Sequence, residues 1–392
     1  MKKLISLLIV CSLLTSLSAC KPQGPGGATN PPTNPTEPNN FKPGQETMFS
    51  VALPAVTKYG TAQDGTVLLS YTYQSMSLTH PDPDVADKVI RDFLSRVDAT
   101  RSTAYSLYDA AKSAYAGNGN WNPYLLSITY NPTRIDQSVL SLFGSSITFN
   151  GTAHPEPNLA AANYDLLTGD ILTLGSIMSA NATKDDFIRL VLESLSKIEE
   201  ESQLFGGYES SVRQRFNRNE STDQDFYFTS DGLCFYFEPY EIAPYTSGVI
   251  VAEIPYAKLA GIIYDGYFPA ERDTVSSTIS ASKFAETDVK GFSQITEAIL
   301  DTDGEMFFLY TDGLLWDVQL DVGTWDIAGT EFNKQYTALL SHALSPGDAI
   351  MIQSKFTDVM PVLRLTYRIG TMTVTKFISQ SGEDGSILLT DN

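Results

Sequence analysis

The stretch from residue 226 to residue 256 limits what this chain can fold into more than any other. It opens Phe226-Tyr-Phe-Thr-Ser-Asp-Gly-Leu-Cys-Phe-Tyr-Phe237, two aromatic and apolar runs flanking Ser230-Asp231-Gly232. That pattern predicts a β-hairpin, with Asp-Gly supplying the positive φ of a tight turn. Glu238-Pro-Tyr-Glu-Ile-Ala-Pro-Tyr245 follows. Its two prolines cannot donate to a β-ladder, so this segment leaves the sheet as a fixed loop. Val249–Tyr256 re-enters as a strand. The loop presents Tyr240, Glu241 and Tyr245 between stiff points. It serves either as a binding surface or as a structural corner whose tyrosines pack inward.

Upstream, Val67–Tyr73 and Met76–Leu78 read as strand. Val85, Val89, Phe93 and Val97 recur at helical spacing after Asp82 or Asp84 as cap, and the pattern runs on to Tyr115. This predicts one long helix with a bend. Tyr124–Tyr130 and Val139–Phe149 alternate and should pair antiparallel, and Ala161–Leu166 is a further strand. A second helix starts at Thr183, with Asp185 and Asp186 in its first turn, where the helix dipole favours acids. Residues 203–224 read as a polar loop or short helix. The expected fold class is α+β, with long helices packed on antiparallel sheet, followed by a small mostly-β C-terminal domain. Residues 47–268 form the first domain and 275–392 the second. In the second, spaced strands such as Leu363–Ile369 suggest a small β-sandwich, with short helices at 290–300 and 332–344.

The N-terminus carries an address. Met1-Lys2-Lys3 precedes a short apolar run and Leu17-Ser18-Ala19-Cys20. This predicts a signal peptide over 1–19, with a box that resembles bacterial lipoprotein processing sites, and so a lipid on Cys20. Residues 20–46 are rich in Pro, Asn and Gly and should form an extended linker. The expected location is extracytoplasmic, anchored by lipid to the bacterial cell membrane. No later segment has the apolar length of a membrane span.

Two further segments join the loop in a family resemblance. Asn150-Gly-Thr-Ala-His154 and Tyr164-Asp-Leu-Leu-Thr-Gly-Asp-Ile-Leu-Thr-Leu174 precede Phe237-Glu-Pro-Tyr-Glu-Ile-Ala-Pro-Tyr-Thr-Ser-Gly248. In this order they resemble the extracellular domain of RsiV-type lysozyme-sensing anti-sigma factors, over roughly residues 50–265. The same domain is an accessory in PdaC-type peptidoglycan deacetylases. Thr152 stands where that family usually has a second glycine. The resemblance implies a ligand-binding domain and an extracellular partner, a lysozyme-like protein or a cell-wall polymer. It implies contacts on Pro239, Tyr240, Glu241, Pro244 and Tyr245, with His154 in the family turn. In the sensors a cytoplasmic segment and a membrane span come first. Here the expected lipid and linker stand in their place, so transmembrane signalling to a sigma factor is not expected of this chain alone.

Charge and chemistry narrow the function further. A net charge of −20 disfavours nucleic acid and suits a basic partner, as well as plain solubility. Of three cysteines, Cys11 leaves with the signal and Cys20 takes lipid. Cys234 remains, a small hydrophobe in the hairpin rather than a nucleophile. The histidines, His80, His154 and His342, are scattered without a metal-binding motif. His154 either orients a ligand or satisfies backbone groups. Ser194–Lys197 and Ser280–Lys283 lack the partner motifs of penicillin-recognising enzymes, and Asp301–Glu305 fails the spacing of a calcium loop. No cofactor is expected. The reading that results is a cell-surface lipoprotein that binds an extracellular ligand without catalysis. The alternative is an envelope hydrolase acting on peptidoglycan or glycan, and a third reading is a spacer carrying an adhesive C-terminal module.

Overall fold

The computed structural model describes residues 49–392 except 118–120, 153–155, 199–202, 218–225, 271–276, 285–286, 288, 327–330, 357–361, 371 and 392. The expected signal peptide, Cys20, the linker and His154 lie outside the described residues. The first strands are β1 (Ser50–Ala52), β2 (Ala55–Thr61), β3 (Val67–Gln74) and β4 (Ser77–Thr79). Helices α1 (Pro83–Ala99) and α2 (Arg101–Ala114) follow, then β5 (Tyr124–Ile135), β6 (Val139–Phe149) and β7 (Glu156–Asp165). Next come α3 (Leu174–Ile177), α4 (Lys184–Leu195), α5 (Tyr208–Phe216), β8 (Phe226–Phe228), β9 (Gly232–Phe237), β10 (Ile250–Pro255) and α6 (Tyr256–Leu259). The remaining strands are β11 (Ile279–Lys283), β12 (Gln294–Ile299), β13 (Glu305–Thr311), β14 (Leu315–Trp325) and β15 (Phe332–Leu344). They continue as β16 (Asp348–Ser354), β17 (Leu363–Ile369), β18 (Met372–Gln380) and β19 (Ile387–Thr390).

The chain is mixed α/β with several antiparallel sheets. A five-stranded sheet runs β2-β3-β5-β6-β7, with β3 and β5 its parallel pair. Its Leu69, Leu126, Ile128 and Leu142 pack on Val89, Phe93 and Val97 of α1. The helical periodicity continues past Thr100, but that residue ends α1 and starts α2 with no side-chain cap bond to the second helix. The long bent helix is therefore two helices. After β7 the chain makes a single bridge, Tyr164 to Ile171, before Thr173 and Ser176 form a capping box and start α3.

The hairpin forms as expected, β8 against β9 against β10. A buried polar chain pins it to the five-stranded sheet. Ser141 Oγ donates to Asn163 Oδ1 (2.6 Å), Asn163 Nδ2 donates to Phe226 O (2.8 Å), and Phe228 N donates to Ser141 Oγ (2.8 Å). Gly232 does not take the expected positive φ. Thr229 Oγ1 closes the turn by accepting from the backbone of Asp231 and Gly232. Glycine is needed there for another reason: a Cβ would sit 2.3 Å from Ile254 O on the next strand.

In the C-terminal third, β11-β13-β16-β12 forms a four-stranded sheet, and β19-β18-β17-β14-β15-β1-β4 a seven-stranded one. Phe307, Ile350 and Ile352 of the first share a core with Leu320, Leu339 and Leu365 of the second, so the two sheets pack face to face. Two expectations fail here. Residues 332–344 are strand β15, buried on both faces over its second half, and 294–299 is strand β12 after a single 3-10 turn at Val289–Gly291. Pairing also crosses the expected domain boundary, since β1 lies between β15 and β4. Val51 packs into the core beneath α1, while its neighbour Ala52 packs into the C-terminal core.

Candidate functional site

The loop between β9 and β10 is held by side chains that point inward and backbone groups that bond locally. Ile242 and Ala243 are buried. Tyr240 N donates to Ala243 O (3.0 Å), Glu241 N to Glu238 O (3.0 Å) and Gly248 N to Tyr245 O (3.0 Å). Both loop carboxylates are committed to holding it. Glu238 Oε1 accepts from Leu159 N of β7 (2.9 Å). Glu241 takes Arg215 Nη1 at 3.0 and 2.8 Å and also accepts from Glu238 N (3.1 Å).

Arg215 was not legible as a site residue. It sits on α5, where residues 203–224 read only as a polar loop or short helix. The helix buries Tyr208, Val212, Arg215 and Phe216. The spacing of Tyr208, Val212 and Phe216 is the signal that would have found it. The Arg215 guanidinium lies over the rings of Tyr236 and Phe237, 5.3 and 5.0 Å from their centroids. A buried cation with a ring on its face and a carboxylate on its edge fixes α5, β9 and the loop together.

The tyrosines face the other way. Tyr240 is 69% exposed and Tyr245 49%, so neither packs inward. Their ring centroids lie 5.7 Å apart, tilted by 32°. Tyr240 has φ 71°, a left-handed conformation that costs a non-glycine residue about 1–2 kcal/mol. The bonds around it hold it there. Pro239 and Pro244 are half-buried and frame the pair. Phe205, whose N donates to Ile242 O (2.8 Å), adds an exposed ring on the adjoining segment. The structure thus brings Tyr240 and Tyr245 to one outer surface, and it turns Glu241 inward to Arg215 rather than outward to a partner.

Elsewhere, Cys234 is buried beside Tyr227 and Tyr236. Burial and the Glu253 carboxylate across the ladder push its thiol up to about 12, so it is a packing group at neutral pH. His80 bonds to the backbone at both ring nitrogens, through Asp82 and Leu166. Among the described residues no group of His, Cys, Asp and Glu is placed to hold a metal ion. None of their helices is long and apolar enough to cross a membrane.

Arg134 and Asp136 form another buried ion pair. Arg134 Nε donates to Asp136 Oδ2 (2.6 Å), and Nη1 donates to Tyr256 OH (2.5 Å) and Tyr267 O (2.7 Å). Burial alone would raise the Asp136 carboxyl. The adjacent guanidinium, with the N–H groups of Ser138 and Val139, holds it below the usual carboxylate range. Burial pushes the Tyr256 hydroxyl up to about 12. A cavity of about 150 Å³ adjoins this pair, between the hairpin turn at Ser230 and the seven-stranded sheet at Gln319 and Arg368.

The hairpin, loop and supporting helices fall in the part of the chain that known families describe. Residues 176–257 match the model of DUF3298, a protein of unknown function. The matched span holds α4, α5, β8–β10 and the whole Glu238–Gly248 loop. It is narrower than the resemblance over residues 50–265 and leaves out the segments around His154 and Tyr164. Two solved structures of DUF3298 family members are similar to this chain. One, from Bacteroides fragilis NCTC 9343, is 15% identical with a TM-score of 0.42, covering 56% of this chain and 95% of that one. The other, from Pseudomonas aeruginosa PAO1, is 16% identical with a TM-score of 0.39, covering 56% and 98%. No curated protein matches the chain.

Proposed function

We propose that this chain is a cell-surface lipoprotein whose DUF3298-containing domain binds an extracellular protein through the β9–β10 loop, without catalysis. The observation that carries this reading is the outward-facing Tyr240–Tyr245 pair on a backbone that is strained at Tyr240 and pinned by Arg215–Glu241. Rigid aromatic area presented at low entropic cost is what binding hot spots are made of. The RsiV-type kinship belongs to this proposal and rests on the Phe237–Gly248 segment. It makes a lysozyme-like basic protein the first ligand to try, and the net charge of −20 supports that choice through long-range attraction. The lipid on Cys20, the membrane anchorage and the linker belong to the same reading and rest on the Leu17–Cys20 box and on residues 20–46.

The test is calorimetric titration of the full chain with lysozyme at low and moderate salt, beside Tyr240→Ala and Tyr245→Ala. Saturable binding that survives moderate salt and weakens about tenfold or more in each variant is expected. Binding that vanishes with salt, or that both variants leave unchanged, would sink the proposal.

A further inference from the structure

The other end of the five-stranded sheet carries a second surface that the loop does not explain. Leu69, Leu126 and Ile128 turn toward α1 and its core, so by the pleat their neighbours Ser70, Leu125 and Ser127 turn to the opposite face. Part of that face is covered. Phe143 stacks on Tyr227 at 4.5 Å and meets Tyr236 at 4.8 Å, which seats the hairpin there. At the far end the register places Tyr59, Ser70, Leu125 and Phe149 in one row across β2, β3, β5 and β6. Tyr59 is 65% exposed. A groove of about 400 Å³ opens here, lined by Ser70, Asn122, Pro123, Tyr124, Leu125 and Phe149. Tyr124, paired with Leu69 and packed on the α1 core, stacks on Trp121 at 5.3 Å and meets Phe149 edge-on at 6.5 Å, so it braces the groove rather than faces it.

We propose that this groove binds an uncharged, linear pyranose chain laid across the strands. Three observations select that ligand. The face has the Tyr59 and Phe149 rings for the C–H faces of a sugar, and the Asn122 amide and Ser70 hydroxyl for its hydroxyls, the mix of apolar walls and few polar groups that small-ligand sites use. Among the described residues no acid or base lines it, although 18% of the chain is charged; a charged ligand would find no counter-charge among them, and an anion would also meet the repulsion of the whole molecule. The row from Tyr59 to Phe149 spans three interstrand spacings, about 14 Å, which suits a chain of roughly three rings rather than a single sugar. This site is distinct from the β9–β10 loop and stands or falls separately from it.

The full chain would be titrated with the uncharged β-1,4-linked tetramer of N-acetylglucosamine and, in parallel, with tetragalacturonate. Calorimetry would be combined with tryptophan fluorescence, beside Tyr59→Ala, Phe149→Leu and Tyr240→Ala. The expected result is saturable binding of the neutral tetramer only, weakened about five- to tenfold by Tyr59→Ala and by Phe149→Leu and unchanged by Tyr240→Ala. Tyr59 is exposed on an edge strand, so its variant reports on the site without loss of folding. No saturation with the neutral tetramer, equal binding of the anionic one, or affinity untouched by both groove variants would overturn the proposal.

Discussion

At the scale of single residues, the loop separates the side chains it exposes from those that hold it. Tyr240→Gly removes the exposed ring and also relieves a left-handed backbone, a gain of about 1 kcal/mol set against a similar entropic loss in the unfolded chain. Its melting temperature should stay near that of the parent while ligand binding falls. Glu241→Ala should do the reverse: it takes the carboxylate from a buried guanidinium and costs about 2–3 kcal/mol of stability. Thermal melts of the two variants, each beside its binding isotherm, check the pair; a Tyr240→Gly protein that melts well below the parent would count against the strained-but-exposed account. That the prolines carry this segment out of the sheet was readable in the sequence, whereas the tyrosines read equally as exposed or as packed inward. The inward turn of Glu241 was not readable, because its partner Arg215 lies 26 residues away and the choice between solvent and Arg215 is made by tertiary packing.

At the scale of elements, the hairpin, the β5–β6 pair and α4 with its Thr183 cap were all legible. Each shows a clean period or a cap residue, and Thr183 does meet Asp186 at the start of α4 (3.0 Å). Strand β15 was not legible. Its second half is buried on both faces, so the alternation that marks a half-exposed strand is missing, and its Ala and Leu content suits a helix equally well. The Arg134–Asp136 pair ties the end of β5 to Tyr256 of α6, and this gives a pH prediction. The folded carboxyl titrates below its unfolded value of about 3.9. Its stabilising contribution is therefore full above about pH 4 and is lost as pH falls through the lower folded value. Asp136→Asn should cost about 3–5 kcal/mol at pH 7 by leaving a buried cation without its counter-charge. Urea unfolding of parent and variant should show that gap shrinking at pH 3 and below; a gap independent of pH would contradict the assignment.

At the scale of the whole molecule, β1 joins the two halves. Its three residues are buried, with Val51 facing one core and Ala52 the other. Thr337 N donates to Asn131 Oδ1 (2.7 Å), and Ser50 Oγ meets Thr296 Oγ1 (3.0 Å), so polar contacts cross the same seam. A fragment ending at residue 268 would leave β1 with β4 alone as a partner, uncover Ala52, and take Leu340 from the core that Val51 and Leu53 share. Such a fragment should bind hydrophobic dye and melt broadly. A sharp, near-native transition would show that the N-terminal half does not depend on the seam.

That strand also sets a timetable. Ser50 pairs with Ser341, so a residue made early in synthesis waits for a strand made late before it finds its place. The entropy of closing so long a loop grows only with the logarithm of its length, so the final fold loses little by the arrangement. The delay falls on the rate, because a pairing this remote forms late in any two-state or stepwise scheme. Until β15 arrives, Ala52 and one edge of β1 are unsheltered, and an unpaired strand edge is open to neighbouring chains.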